Sequence, residues 1–241
     1  MNLIIDIGNS SVKMALFEGE TLIEEERIAH HELSDRLVSR ADDKQIKRAI
    51  VSSVRTLDKD TEKAISTLPC PCLRMSAHLH LPFRIAYKTP ETLGADRVAA
   101  AAEAWCQQPG RDLLVIDMGT AITYDMITSQ GIYLGGNIAP GIDMRFKALN
   151  HYTGKLPLVS KDGERVNIGD TTDTAIREGV LQGVSYEIKG YIETYKNKYP
   201  HLLVFLTGGD TKFLDNRTKS RTFADSLLVL KGLNRILTLN E

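Results

Sequence analysis

Two short segments of the chain carry residue types that could bind the phosphates of a nucleotide. Residues 6–10 (Asp-Ile-Gly-Asn-Ser) and residues 117–121 (Asp-Met-Gly-Thr-Ala) share the pattern Asp-x-Gly, a polar residue and a small one, each between two apolar runs. A glycine at a hairpin tip lets backbone N–H groups approach a phosphate that a side chain would block. Four nearby hydroxyl groups could add donors, those of Ser10, Ser11, Thr120 and Thr123. The repeat predicts two hairpins that clamp the β- and γ-phosphates from both sides.

The acidic residue that opens each segment could hold a magnesium ion. Asp6 and Asp117 follow apolar runs, and carboxylate oxygens suit Mg²⁺, bound directly or through water. A third segment, residues 207–210 (Thr-Gly-Gly-Asp), would let the backbone pack closely against an adenosine. Taken singly, each segment is also typical of an ordinary tight turn, and their combination is what favours a nucleotide site. Lys13 either contacts a phosphate or points outward from an edge strand.

The apolar periodicity around these segments is typical of an α/β protein. We predict strands over residues 3–7, 12–17, 49–54, 113–116, 123–127 and 202–206, and helices over residues 32–45, 93–107 and 172–195. A variable loop is predicted from the glycine-rich residues 135–141 to about residue 169. The duplicated hairpin predicts two related domains, residues 1–110 and 111–241. Glycines at positions 179, 183 and 190 of the last helix predict a close helix–helix approach, which would offset their cost.

Composition and missing motifs exclude several functions. The net charge of −1 offers no broad positive field for nucleic acid or an anionic membrane, and the basic residues 212–221 are predicted to be solvated surface. The chain lacks the glycine-rich Walker motif, the Gly-x-Gly-x-x-Gly motif and the His-Arg-Asp and Asp-Phe-Gly motifs of protein kinases. Neither nucleic acid nor a membrane is therefore an expected partner.

The cysteines and the first residues indicate the compartment. Cys70, Cys72 and Cys106 are too few and too poorly spaced for a disulfide framework or a zinc site, and we predict buried or loop thiols. The N-terminus starts with a strand pattern and lacks the features of a signal peptide. No apolar run approaches the roughly 20 residues that span a bilayer. We therefore expect a cytoplasmic protein.

Five motifs in a fixed order give the chain a specific resemblance. They are residues 6–13 (Asp-x-Gly-Asn-Ser-x-x-Lys), 94–97 (Gly-Ala-Asp-Arg), 117–125 (Asp-x-Gly-Thr-Ala-x-Thr-x-Asp), 135–141 (Gly-Gly-x-Ile-x-Pro-Gly) and 207–210. This order resembles type III pantothenate kinase, of the superfamily that includes acetate kinase, sugar kinases, Hsp70 and actin, from residue 1 to about residue 236. The resemblance implies an α/β fold of duplicated ribonuclease H-like (actin-like ATPase) domains, with mixed sheets flanked by helices. It also implies ATP-dependent phosphorylation of pantothenate to 4′-phosphopantothenate, the first step of coenzyme A biosynthesis, by a homodimer.

The resemblance implies a role for each residue of an acceptor site. Asp96 corresponds to the general base, which would accept the hydroxyl proton of pantothenate as the γ-phosphoryl group transfers. Gly94 and Arg97 would hold pantothenate, since a planar guanidinium suits its carboxylate. Tyr87 and Thr172 match positions that line the substrate pocket. Without the resemblance, the residues alone favour a first-turn helix charge at Asp96, with Arg97 as its solvated neighbour.

The resemblance also implies which residues hold the nucleotide and its ions. The nucleotide-binding positions are Asp6, Gly8, Asn9, Ser10, Ser11, Lys13, Gly119, Thr120, Thr123, Gly208 and Gly209. The metal-binding positions are Asp6, Asp117 and Asp125, with Mg²⁺ beside the phosphates and a monovalent cation, K⁺ or NH₄⁺, at Asp125. A strand-end Asp125 that faces solvent is the alternative reading of that residue.

Two other functions stay open at this point. One is a sugar or acetate kinase of the same superfamily, although the short chain has no room for the large inserts that sugar kinases usually carry. The other is a non-catalytic, nucleotide-dependent regulatory accessory protein. An acidic base beside an anion-binding arginine, at Asp96 and Arg97, favours an enzyme over a switch.

Overall fold

The computed structural model describes residues 1–214 and 222–241. Most of the basic stretch 212–221 therefore lies outside the described residues. Within the described ranges the chain forms eleven strands and six α-helices. In chain order they are β1 (Asn2–Ile7), β2 (Val12–Glu18), β3 (Thr21–Ile28), α1 (Leu33–Ser39), β4 (Arg48–Ser53), α2 (Lys59–Ser66), β5 (Cys72–Arg74), β6 (Arg84–Ile85), α3 (Ala95–Gln107), β7 (Leu113–Met118), β8 (Ala121–Thr128), β9 (Ile132–Pro140), α4 (Ile142–Tyr152), α5 (Thr172–Lys198), β10 (Leu203–Thr207), β11 (Thr222–Ala224) and α6 (Leu228–Leu239).

The first compact unit comprises residues 1–110, 129–135 and 227–241. Its five-stranded sheet has the order β3-β2-β1-β4-β5, with β1 antiparallel to β2 and parallel to β4. Every residue of β1 is buried, as expected for a central strand with both faces covered. α3 and α6 pack so closely that a Cβ on Gly232 would clash with the carbonyl of Ala99. The alanine-rich face of α3 permits this approach because its side chains are short.

One predicted helix of the first unit is shorter than expected. The pattern predicts a helix over residues 32–45, whereas α1 ends at Ser39. Leu33 and Leu37 are its buried apolar positions. Further along, the carboxylate of Asp43 accepts a hydrogen bond from the backbone N–H of Gln45, and such local bonds of Asp compete with helix continuation.

The second compact unit comprises residues 111–128 and 136–226. Its strands follow the order β11-β10-β7-β8-β9, and residues 136–140 of β9 belong to it. β7 is antiparallel to β8 and parallel to β10. The long helix α5 confirms the predicted helix over residues 172–195, and its buried positions pack in the unit's core with a spacing close to four: Ile176, Val180, Val184, Ile188 and Ile192.

The loop predicted after residue 141 is wrong for its first part, which forms α4. Ile142 and Phe146, one turn apart, are buried in the core of the second unit. The helix begins after Gly141, which has no side chain to supply the usual capping hydrogen bond. A helix with two fully buried apolar positions and no capping side chain gives a weak sequence signal, which explains the wrong prediction.

The duplicated core is the strongest agreement between prediction and fold. In the first unit the hairpin β1–β2 lies beside the parallel strand β4, and in the second the hairpin β7–β8 lies beside the parallel strand β10. The predicted α/β class with mixed sheets flanked by helices is therefore confirmed. The domain boundaries, 1–110 and 111–241, stay a prediction. None of the helices in residues 1–214 and 222–241 combines the length and apolar character needed to cross a bilayer.

Candidate active site

The hairpin of the first unit ends in a buried carboxylate. Asp6 is 8 % exposed and lies opposite Lys13 in β2 and Ser52 in β4. β2 lies between β3 and β1, so Lys13 is on an internal strand, which corrects the edge-strand alternative. Lys13 therefore sits across from Asp6, where an ammonium group can compensate the carboxylate or meet a phosphate.

Burial raises the pKa of Asp6 from 3.8 to about 6, and this is the largest influence on that group. The positive charge of Lys13 lowers the pKa, the negative charge of Asp96 raises it, and the hydroxyl of Ser52 lowers it. Ser52 is fully buried, although its Oγ has no hydrogen-bond partner of normal geometry among the described residues. A buried carboxylate with a raised pKa favours any cation that approaches it.

The tip of this hairpin leaves its polar groups accessible. Gly8 donates its N–H to the carbonyl oxygen of Ser11 at 3.1 Å, which closes the turn. Asn9 and Ser10 are exposed. His30 Nε2 lies 2.8 Å from the carbonyl oxygen of Gly8 and can donate to it. The sequence analysis missed His30, because nothing local connects it with the turn.

The N-terminus of α3 holds the predicted base. Asp96 lies in the first turn, where its Oδ1 accepts a hydrogen bond from the N–H of Arg97 at 2.9 Å. A Cβ on Gly94 would lie 2.6 Å from that oxygen, so the glycine leaves space for the carboxylate. The charge of Asp96 contributes to the raised pKa of Asp6, which shows that the two carboxylates influence each other. A first-turn position also agrees with the helix-dipole reading of Asp96.

Arg97 is buried, so the alternative prediction of a solvated side chain is wrong. It is 6 % exposed, and its guanidinium carbon lies 6.0 Å from the ring centroid of Tyr87, a cation–π arrangement. Gly135, with a φ of 100°, makes room for the same ring, since a Cβ there would lie 2.7 Å from Tyr87 Cδ2. Tyr87, Arg97 and Gly135 thus form one cluster. A role of Gly135 beside Tyr87 was not predicted.

A cavity of about 660 Å³ opens at the same end of α3. Its walls are residues 53–56 after β4, residues 75–78 after β5, and residues 90–95 with Val98. Gly94 belongs to this wall, so the cavity adjoins the turn that carries Asp96. Small-molecule sites typically have volumes of about 300–1,000 Å³. The first unit therefore offers a cavity of suitable size beside the predicted base.

In the second unit the turn after β10 packs directly on the second hairpin. Asp117 lies opposite Thr207 in β10, and the N–H of Asp210 donates to the carbonyl oxygen of Met118 at 3.1 Å. A Cβ on Gly208 (φ 96°) would lie 2.5 Å from Asp117 Oδ1. Gly209 is exposed, and no atom of the described residues lies within 4 Å of the position that its Cβ would take. Gly208 therefore packs against the hairpin itself, and the predicted contact of this turn with an adenosine stays a prediction.

The start of α4 packs on the tip of the same hairpin. Gly119 donates its N–H to the carbonyl oxygen of Ala121 at 3.0 Å, and Gly141 donates to the carbonyl oxygen of Thr120 at 3.1 Å. A Cβ on Gly141 would clash with that carbonyl. Thr123 lies opposite Asp117 in β8. The second unit thus brings together the predicted nucleotide residues of positions 117–123 and 207–210.

Two predicted residues have positions that the sequence did not indicate. Asp125 lies inside β8, opposite Val115, and is 1 % exposed, so the solvent-facing strand end is wrong. Thr172 is the first residue of α5 and is exposed, and it belongs to the second unit, whereas Tyr87, Gly94, Asp96 and Arg97 belong to the first.

A divalent cation fits the acidic residues only in company with other ligands. Among the described residues, no cluster of three or more His, Cys, Asp or Glu side chains could hold a metal ion. Mg²⁺ in phosphoryl-transfer enzymes is usually held by one or two carboxylates, substrate phosphates and water. Asp6, buried in the first unit, and Asp117, half-buried in the second, are each a carboxylate of the type that such a site uses.

Comparison with known proteins gives consistent results along the whole chain. The family model for type III pantothenate kinase matches residues 2–194. The chain is 50 % identical to a type III pantothenate kinase of Bacteroides fragilis over 241 residues, which cover 100 % of this chain and 99 % of the relative. It is 40 % identical to a type III pantothenate kinase of Christiangramia forsetii over 242 residues, with the same coverage.

Solved structures agree on the fold. A Baf family transcriptional activator from Campylobacter jejuni superposes with a TM-score of 0.67 at 24 % identity, covering 99 % of this chain and 98 % of that one. A ROK family glucokinase from Streptomyces griseus, solved with glucose and AMPPNP, gives a TM-score of 0.53 at 11 % identity and the same coverage. At these identities the likeness concerns the fold alone.

Proposed function

The chain belongs to the type III pantothenate kinase family, and we propose on that basis that it transfers the γ-phosphoryl group of ATP to pantothenate. The products are 4′-phosphopantothenate and ADP, and the reaction is the first step of coenzyme A biosynthesis. The observation that carries the proposal is the 50 % identity to a type III pantothenate kinase over the full length of both chains. ATP and a divalent cation follow from a kinase of this family.

We propose that the first unit binds the acceptor and activates it. Pantothenate would enter the 660 Å³ cavity at the start of α3, and Asp96 would accept its hydroxyl proton during transfer. Gly94 and Tyr87 would line this site. Arg97 would meet the pantothenate carboxylate from a buried position against the Tyr87 ring, where a desolvated guanidinium binds an anion more strongly than in water. Thr172, in the other unit, is proposed as a further contact.

We propose that both hairpins bind phosphate oxygens. In the first, Lys13, Asn9, Ser10 and Ser11 would donate to them, and Gly8, whose N–H closes the turn, would let the phosphates approach the backbone. In the second, Thr120 and Thr123 would donate and Gly119 would play the part of Gly8. The turn at Gly208 and Gly209 would lie against the adenosine. Asp6 and Asp117 would hold Mg²⁺, which neutralises the phosphate charge that develops during transfer.

The finer details of cofactor, assembly and location are also proposals. The buried Asp125 would serve a monovalent cation, K⁺ or NH₄⁺, because its position in the motif of residues 117–125 matches the family's ligand for that ion. Helix α5 would form a homodimer contact through the face of Gly179, Gly183 and Gly190, where the described part of the chain has no atoms within 4 Å of the missing Cβ positions. The three free thiols suit a reducing cytoplasm.

The test is a panel of acceptors assayed for ADP release with Mg²⁺-ATP. Pantothenate, glycerol, hexoses and acetate would be compared, and mass spectrometry would identify the phosphorylated product. We expect release with pantothenate and a product heavier by one phosphoryl group. ADP release with a hexose and none with pantothenate would overturn the proposal in favour of a sugar kinase, and no acceptor-dependent release at all would favour the regulatory alternative.

A further inference from the structure

We infer that Lys161 is a positioning residue for ATP. It links the two segments that pack on the second hairpin, the start of α4 and the turn after β10. The inference rests on the proposed function, because it assumes that the turn at residues 207–210 meets the nucleotide. Lys161 lies in the segment between α4 and α5, to which the sequence analysis gave no role. Its Nζ lies 2.8 Å from Asp210 Oδ1 and 2.8 Å from Asp143 Oδ2.

Each of these carboxylates belongs to an element that touches the hairpin. Asp210 donates its N–H to the carbonyl of Met118. Asp143 lies in the first turn of α4, directly after Gly141, which donates its N–H to the carbonyl of Thr120. One ammonium group has three donors and can therefore bridge two carboxylates. Lys161 thus connects both supports of the 117–121 turn.

The two ion pairs of Lys161 differ in their exposure to solvent. The side chains of Lys161 and Asp210 are 21 % and 13 % exposed, whereas that of Asp143 is 59 % exposed. Partial burial strengthens the attraction between charges and weakens its screening by salt. The Lys161–Asp210 pair is therefore the stronger link, and the Lys161–Asp143 pair the weaker one.

The backbone that presents Lys161 is itself held in place. Val159 is buried in the core of the second unit, and the buried Arg177 of α5 donates through Nε to the carbonyl oxygen of Ser160 at 2.9 Å. The lysine thus extends from a well-anchored backbone and holds Asp210 and Asp143 together. It also neutralises the charge of Asp210, which would otherwise repel the phosphates of an approaching nucleotide.

The test compares Lys161→Met with Lys161→Arg, and uses Lys155→Met, an exposed lysine of the same segment, as the matched control. Calorimetry would give the Kd for ATP, and steady-state kinetics would give KM and kcat for both substrates. For Lys161→Met we expect the Kd and KM for ATP to rise about tenfold, the scale of one well-made ionic link, with kcat and the KM for pantothenate changed less than about twofold. Lys161→Arg should restore most of the affinity, and Lys155→Met should match the wild type.

A milder variant guards against misfolding of Lys161→Met. Asp143→Asn removes only the exposed partner, and we expect a rise of about threefold in the Kd for ATP. An unchanged Kd for ATP in both variants, or equal losses of affinity for ATP and for pantothenate, would overturn the inference. The kinase assignment would stay intact as long as the wild type is active. A wild type that binds ATP but does not phosphorylate pantothenate would instead contradict the proposed function. In that case a selective loss of ATP affinity in Lys161→Met would still support the positioning role of Lys161.

Discussion

The two hairpins share a sequence pattern, yet the residue that faces the carboxylate across each hairpin differs. Asp6 lies opposite Lys13, and Asp117 lies opposite Thr123. On the adjacent parallel strand both have a hydroxyl residue in register, Ser52 for Asp6 and Thr207 for Asp117. The repeated core is therefore conserved in geometry, and the charge facing the carboxylate is not.

The segments that follow the parallel strands differ more. After β10, Gly208 and Asp210 fold back onto the second hairpin and close it. After β4, residues 53–56 form instead a wall of the cavity beside Gly94. The same arrangement of a hairpin beside a parallel strand can therefore carry different functional segments in the two units. We propose that the first unit serves the acceptor and the proton as well as phosphate oxygens, and that the second unit serves phosphate oxygens and the adenosine.

The largest expected effect belongs to the base of the first unit. Asp96→Asn should lower kcat by about 10²–10⁴-fold, the usual contribution of a general base, and leave the Kd for ATP unchanged. Asp60→Asn is the matched control, because Asp60 is an exposed first-turn acid of α2 and shares only the helix-dipole role. A near-normal kcat in Asp96→Asn would show that Asp96 is not the general base. Equal losses of kcat in both variants would favour the helix-dipole role of Asp96.

The second prediction concerns the closure of the second hairpin. Gly208→Ala places a Cβ at a φ of 96° and 2.5 Å from Asp117 Oδ1, so we expect a loss of about 3 kcal/mol in the free energy of unfolding or a displaced turn with weaker ATP binding. Gly209→Ala adds a Cβ where residues 1–214 and 222–241 place no atom within 4 Å, and its unfolding free energy should stay within about 0.5 kcal/mol of wild type. Urea denaturation of both variants measures the difference. Equal stabilities would mean that the turn is looser than its geometry indicates.

The sequence predicted the two hairpins well because their signals are local. Alternating apolar runs, a glycine at each tip and the residue types at positions 6–10 and 117–121 are all visible within a few residues. The parallel pairings that place Ser52 beside Asp6 and Thr207 beside Asp117 join distant parts of the chain, and no local pattern specifies their register. The contacts of Gly208 and the burial of Asp125 follow from those pairings and therefore required the fold.

The same distinction explains the errors in the helices and in the site. α5 has a long, regular apolar stripe and was predicted, whereas α4 has two buried apolar positions and no capping side chain. The burial of Arg97 against Tyr87 depends on the path of the chain through residues 84–97, which composition does not reveal. The residue types of the site were thus predictable, and their environments were not.

The third prediction uses the buried carboxylate of the first hairpin. Because its pKa rises from 3.8 to about 6 on folding, the folded state binds more protons between these values, and stability falls as the pH rises through that window. The loss should reach about 2–3 kcal/mol above pH 6, and Asp6→Asn should remove that part of the pH dependence. Lys13→Met removes a charge that lowers the pKa, so the fall should extend to higher pH. The carbon-13 shift of the Asp6 carboxyl, followed by NMR, measures the pKa directly, and a midpoint near 4 would contradict the prediction.

The smallest expected effect tests the hydroxyl beside that carboxylate. Ser52 is fully buried and its Oγ lacks a hydrogen-bond partner of normal geometry, so Ser52→Ala should change the free energy of unfolding by less than about 1 kcal/mol, toward greater stability. Thr61→Val is the contrast within the same unit, because the buried Thr61 hydroxyl donates to Asp58 Oδ2 at 3.2 Å and its removal should cost about 1 kcal/mol. A loss above about 2 kcal/mol in Ser52→Ala would contradict this prediction and would show that the hydroxyl holds Asp6 in place. Ser52 would then have a structural role of its own, beyond its register equivalence with Thr207 in the second unit.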